Sequence, residues 1–263
     1  MKNIVYKMAV LAVCCFMISK SFAQYPPLIE IGDIYCTKPG PGKLDTIISL
    51  RDWPTTPTAS ITLSDGQTCT PQGVVFQVNK DGMSGLIVHK FVNNLTSNNL
   101  AWISTSPEYS TNIPSLIDIT TIRSVNTSYS TRLLTYVYDL NFENNTNLIL
   151  QYYVSKATAA NCAAFYCRNL GAGWGLPAAG QWNTLYSYIP EVNASLYLIT
   201  GAHQIPTYAV NSGYITDVYW TSTEYDASYA VTFILNTGAH GGGGSPAYPY
   251  KYNSYKARAI RAF

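Results

Sequence analysis

Side chains that do covalent or metal chemistry are sparse in this chain. Three histidines, His89, His203 and His240, stand far apart, without the spacing of metal ligands. Glu224 and Asp226 are carboxylates of the kind a glycosidase pairs across its substrate. Two residues apart on a strand edge, however, they read as frame and surface. Gly171-Ala172-Gly173-Trp174-Gly175 follows a helical pattern and contains a bulky Trp, unlike a dinucleotide loop, and Gly241 to Gly244 lacks the Lys and Ser/Thr of a phosphate loop. No catalytic residue is assigned, the chain is expected not to be an enzyme, and no cofactor or metal is implied.

What remains is the chemistry of recognition. From Asn236 to Tyr255 the sequence uses only Asn, Thr, Gly, Ala, His, Ser, Pro, Tyr and a single Lys. Without an aliphatic side chain larger than Ala, such a stretch forms no core of its own and is expected on the surface. Tyr248, Tyr250, Tyr252 and Tyr255 then become rings on a Gly- and Pro-rich support. Tyr supplies large amphipathic contact area at low entropic cost, while Ser, Gly and Asn supply adaptable hydrogen bonds, as in antibody-like loops. A polar loop of ordinary composition is the plainer alternative.

Two firm frames bound this stretch, Tyr219-Trp220-Thr221-Ser222-Thr223-Glu224 and Lys256-Ala257-Arg258-Ala259-Ile260-Arg261-Ala262-Phe263. Together with Gly173-Trp174-Gly175-Leu176-Pro177-Ala178-Ala179-Gly180-Gln181-Trp182, which is similar to a GWxLPSxxEW signature, they resemble bacterial secreted C-type-lectin-like domains of the major-paralogous-domain group. Within that group the chain looks most like the variable proteins of diversity-generating retroelements. The resemblance implies an α+β, C-type-lectin-like fold with small antiparallel sheets, two main helices and long loops. It also implies a variable region, about 225–255, in which randomised Asn codons yield residues such as Asn, Thr, Ser, Gly, Ala, His, Pro and Tyr but never Lys. Lys251 is the exception to that alphabet. The implied ligand contacts are Asp226, Ser228, Tyr229, Thr232, Ile234, Thr237, Ala239, His240, Tyr248, Tyr250, Tyr252 and Ser254. Formylglycine-generating enzymes share the broad fold but need cysteines in the C-terminal core, where this chain has none beyond Cys167. Calcium-dependent lectins use Glu-Pro-Asn or Gln-Pro-Asp followed by Trp-Asn-Asp, and neither occurs here. The resulting expectation is a secreted or surface-displayed protein that recognises a protein or glycan. The alternative is a structural or adhesive subunit of a cell-surface assembly, or a polysaccharide-binding accessory module.

The elements that must position these residues are legible in part. Lys2 and Lys7 precede an apolar run, Met8 to Ile18, and Ser21-Phe22-Ala23 offers a cleavage site, so residues 1–23 read as a signal peptide. A lipoprotein signal at Cys14 or Cys15 is weaker because Val13 is bulky. The run is too short to span a membrane, and export to the periplasm, cell surface or exterior is expected. Without Lys2, Lys7 and Lys20 the chain carries thirteen basic and fourteen acidic residues, which gives no basic patch for nucleic acid.

Four cysteines survive, and an oxidising compartment permits disulfides. Cys36 with Cys69 is the first pairing to test, since Cys162 and Cys167 lie five apart on a helix and point in different directions. A zinc site lacks CxxC pairs and nearby His. Residues 24–72 read as an extended Pro/Thr-rich segment with two edge strands, and 73–263 as the main domain. Gly73 to Asn79 and Leu86 to Lys90 form a hairpin pattern inside that domain. An insertion spans about 91–151, with a strand suggested by the alternation Leu134, Tyr136, Tyr138, Leu140, Phe142. Helices are expected over 160–170, capped by Ser155, and from Pro177 to Pro190, with a short one at 191–199. Strands are expected at 218–222, 229–235 and 256–263, where Arg258 and Arg261 take opposite faces and one of them is a candidate partner for Glu224.

Overall fold

The computed structural model describes residues 28–40, 45–93, 100–102, 113, 116, 136, 138–153, 162–206, 217–235 and 244–263. The expected signal peptide and the Ser155 cap lie outside them. The hairpin is the centre of the fold. Its arms are β4 (Thr68–Val78) and β5 (Gly85–Val92), in register from Gly73 opposite His89 to Val78 opposite Gly85. Asp81 closes the turn: its Oδ1 accepts the N–H groups of Met83 and Ser84 at 2.9 and 3.0 Å, and its Oδ2 accepts the Ser84 hydroxyl at 2.6 Å. A bulge at Val75/Gln77 resets the alternation. Val74 and Phe76 therefore face one core, while Val75 and Val78 face the other.

Around this hairpin the sheet runs β11 (Arg258–Ala262), β5, β4, β1 (Ile34–Thr37), β2 (Thr46–Ile48), all antiparallel, with β3 (Ile61–Thr62) pairing β4. The expected boundary between residues 72 and 73 thus falls inside β4, while β2, in the run Ile47 to Leu50 read as an edge strand, does lie at the edge of the sheet. The segment read as an extended entry is part of the sheet.

Both faces of the sheet are covered. On one side pack α3 (Ala179–Ser187) and α4 (Ile189–Tyr197), which bury Trp182, Leu185, Ile189, Val192 and Leu196 at helical spacing. Pro190 begins α4 instead of ending the preceding helix. At α4, the Ser195 hydroxyl donates to Gly32 O at 2.6 Å and ties the helix to the entry of β1. On the other side lie α1 (Phe142–Tyr153) and α2 (Ala163–Asn169), with Ile149, Ala163, Ala164, Cys167, Trp174 and Leu176 buried. The strand expected through Phe142 is corrected: from that residue onward the chain is helical, because Phe142, Asn145, Thr146 and Ile149 recur at three- and four-residue spacing and are the buried face of α1. A second sheet, β7 (Val218–Glu224), β8 (Ala230–Ile234) and β9 (Ser245–Ala247), packs on the first core through Tyr219 and Phe233. A short ladder joins β6 (Leu100–Ala101) to β10 (Ser254–Tyr255). The architecture is mixed α and β with small antiparallel sheets and four described α-helices.

Candidate functional site

The frame strand β7 is held on every side. Trp220 Nε1 donates to Leu100 O at 2.6 Å, and Thr221 Oγ1 donates to Val231 O at 2.8 Å. Thr221 O in turn accepts Trp102 Nε1 at 2.7 Å, and the Ser222 amide donates to Pro177 O at 2.8 Å. Thr223 Oγ1 accepts the Ala179 amide at 2.9 Å and donates to Asp139 Oδ2 at 2.6 Å. Position 178, Ala here, has no hydroxyl to cap α3; Thr223 takes the first amide of the helix and Asp139 O takes the second, that of Gly180, at 3.0 Å. Gln181 keeps the reciprocal bond, its Oε1 accepting the Ala178 amide at 2.8 Å. Trp174 and Trp182 are buried core residues, as their positions suggested.

The second frame closes on the hairpin. Arg258 is fully buried and donates to three carbonyls, His89 O at 2.9 Å, Lys90 O at 3.2 Å and His203 O at 2.6 Å. Burial lowers its pKa to about 10. Arg261 lies on the other face and pairs with Asp45 at 3.2 Å. Neither arginine is the partner of Glu224. That partner is Lys251, the residue outside the expected codon alphabet. Both side chains are fully buried, and Lys251 Nζ donates to Glu224 Oε1 and, at 2.9 Å, to Ala227 O. Its charge also sits 5.1 Å from the Trp102 ring centroid, while Glu224 accepts the Ile113 amide at 3.2 Å.

This anchor sets the backbone of the tyrosines on either side. After β7 the chain turns on Asp226, whose Oδ1 accepts the amides of Ser228 and Tyr229, each at 2.8 Å. Tyr250 bridges antiparallel to Tyr229, the Lys251 amide donates to Ser228 O at 3.0 Å, and the Ala230 amide donates to Pro249 O at 3.2 Å. The rings then form a ladder. Tyr252 stacks on Tyr250 with centroids 5.2 Å apart, and Tyr250 stacks on Tyr229 at 4.5 Å. Tyr229 stands edge-on to Tyr248 and Tyr225, which stack on each other at 4.4 Å. Exposure rises along the ladder, from 6% at Tyr225 to 41% at Tyr250 and 47% at Tyr252. The inner rings belong to the protein and the outer ones to solvent. A hydrogen bond with the Tyr250 hydroxyl pushes the Tyr229 pKa up to about 12.

Beside the ladder is an open groove of about 420 Å³ walled by Val218, Thr232, Ile234, Ala247, Tyr248, Pro249 and Tyr255. The expected contacts therefore divide. Tyr229, Tyr248, Tyr250 and Tyr252 come together in the ladder, and Ile234 joins Tyr248 in the groove. Ser254 is exposed on β10. Asp226 and Ser228 are half-buried and shape the turn. Thr232 also borders the groove but is fully buried, with Oγ1 donating to Ala247 O at 3.3 Å on the neighbouring strand β9. Thr237, Ala239 and His240 lie outside the described residues. Two residues that sequence reasoning did not place in the site are Lys251, marked only by being out of alphabet, and Tyr225, marked only as the residue after the frame.

His89 is buried beside Trp174, with ring centroids 4.7 Å apart. Phe91 lies between His89 and His203, 5.6 Å from each. Among the described residues, no group of three or more His, Cys, Asp or Glu is placed to hold a metal ion. Nor is any described helix long and apolar enough to cross a membrane.

No family model matches the chain, and no curated protein matches it. Its fold is similar to that of a fimbrial protein from Bacteroides ovatus ATCC 8483, with a TM-score of 0.52 and 15% identity over 89% of this chain. The chain spans about half of that protein, 49% of its length.

Proposed function

We propose that the chain is an exported adhesive subunit of a bacterial cell surface that binds a protein or glycan, without turnover, through its C-terminal tyrosine face. The carrying observation is the ladder: two rings, Tyr250 and Tyr252, stand exposed on a backbone fixed by a fully buried ion pair. Exposed aromatic rings that need no rearrangement before contact are what a binding hot spot requires. The fold shared with a fimbrial protein supports a surface-assembly role over a freely secreted one.

The test is binding of the purified protein to a glycan array and to a panel of surface proteins, with Tyr250→Ala/Tyr252→Ala as comparison. Loss of two hot-spot rings is expected to weaken binding by roughly 30-fold or more. Because both rings are largely outside the core, Tm is expected to stay within about 3 °C of the parent. A double variant that binds as the parent does would refute the assignment of the face.

A second reading, that the face is diversified by a retroelement, is favoured by one particular. The out-of-alphabet residue of the segment, Lys251, is the one the fold buries, and its in-alphabet neighbours Tyr250 and Tyr252 point outward. Sequencing the genomic neighbourhood tests it. A near-copy of the 3′ end differing at adenines, beside a reverse transcriptase gene, is the expected finding, and its absence removes the diversification reading while leaving the adhesive one.

A further inference from the structure

We propose that Cys36 and Cys69 are joined by a disulfide that staples β1 to β4, and that Cys162 and Cys167 remain thiols. The register pairs Cys36 with Pro71. Since Cys69 is two residues from Pro71 on the same strand, its side chain shares a sheet face with Cys36. Diagonal neighbours in a flat sheet stand about 7–8 Å apart, too far for a bridge. Here the ladder is bulged at Tyr35/Cys36 and β4 pairs with β3 at Cys69, so neither cysteine is held in flat-sheet geometry. The two thiols are near enough for each to shift the pKa of the other. Both are fully buried in one core cluster.

The other pair is not so placed. Cys162 precedes α2 in extended conformation, whereas Cys167 lies within the helix. The Cys162 thiol donates to Trp102 O at 3.2 Å.

The bond forms by exchange with a small-molecule or protein disulfide. One cysteine thiolate attacks the oxidant's sulfur and expels a thiolate, and the second cysteine then displaces the other half. Two electrons and two protons leave the cysteines, and one disulfide of the oxidant is reduced to two thiols. Burial raises both cysteine pKa values and closes off access once the sheet is formed, so oxidation belongs to folding and not to the finished protein.

The inference rests on the reading that the chain is exported, and the experiment separates the two. The full-length chain is expressed in a bacterial host, recovered from the exported fraction, denatured without reductant, alkylated with iodoacetamide and peptide-mapped. The expected result is one linked peptide carrying Cys36 and Cys69, with Cys162 and Cys167 alkylated. Four alkylated thiols, or any other linkage, would overturn the proposal. If the chain stays in the cytoplasm with its first 23 residues attached, the export reading fails. The bond is then judged by refolding the denatured, reduced chain in a buffer of oxidised and reduced glutathione, scored by the same map. As a second measure, Cys36→Ser, Cys69→Ser and the double variant should each lower Tm by about 10 °C, the effect of opening a loop of this length. Equal losses in all three indicate a bond, whereas additive losses indicate two separately packed thiols and count against it.

Discussion

Lys251 offers the sharpest test of how the tyrosine face is held. Replacing it with Met keeps most of the side-chain volume and removes the charge. Glu224, fully buried, then keeps the Ile113 amide at 3.2 Å but loses its cation. Breaking one side of a buried pair costs about 3–5 kcal/mol, because the remaining charge has been taken from water without compensation. For a chain of this size that corresponds to a fall in Tm of about 6–20 °C. Glu224→Gln should cost a similar amount by stranding the ammonium. The double variant Glu224→Gln/Lys251→Met should recover most of the loss, since a neutral pair of similar volume removes both desolvation penalties. Urea unfolding of the four proteins at pH 7 gives the coupling energy directly. If Lys251→Met lies within about 1 kcal/mol of the parent, the ion pair is not what fixes the segment, and the account of the ladder as a pre-set face falls with it.

Two further outcomes follow from the core. Burial, and then the charge of Arg258, lower the His89 pKa to about 4, whereas the unfolded chain titrates near 6.5. The unfolded state therefore binds the extra proton first: the stabilising term is whole above pH 6.5 and is lost as pH falls toward 4, by about 3 kcal/mol in all. His89→Asn, whose Oδ1 can still accept the Phe91 amide, should flatten urea-derived stability between pH 7 and 4 by that amount, and an unchanged slope would remove His89 from the account. At Gly175, a Cβ would meet the buried Phe142 ring and Thr146 Oγ1, each at 2.9 Å. Gly175→Ala should cost about 1–3 kcal/mol through overpacking, read as a fall in the urea midpoint at unchanged m-value.

The parts of the fold that could be read in advance are those in which burial and hydrophobicity coincide. Val74, Phe76, Ile87 and Val88 are apolar and buried, so the central hairpin was legible, as were Trp182, Leu185 and Ile189 on the helices. Helix α1 was not, because two of its four buried positions are Asn145 and Thr146. Their polar side chains are satisfied inside, Asn145 on Asp139 Oδ2 at 2.9 Å and Thr146 by the Leu176 amide at 3.0 Å, and a periodicity that counts only apolar residues passes over them. Along β8, alternation sends Thr232 away from Val231 and Phe233, yet all three are buried, because both faces of that strand are covered. Sequence offers Arg258 or Arg261 to Glu224 as a charge partner, and the backbone carbonyls that accept Arg258 Nε and one of its terminal nitrogens leave no trace in composition.

The same reasoning explains why the face could be located without its anchor being recognised. Alternation predicts that Tyr250 and Tyr252 share a side and that Lys251 takes the other. What alternation cannot state is that the other side is a sealed interior, since the carboxylate waiting there is 27 residues earlier in the chain. A lysine placed there needs Glu224, Ala227 O and the Trp102 ring together. Those groups come from the end of β7, the turn after it and the residue that follows β6. Among the described residues from 244 to 255, Lys251 is the buried side chain, and its partners lie outside that stretch. The outward side chains of the stretch are left to change without unfolding the protein, which is the physical condition that any surface selected for binding must meet.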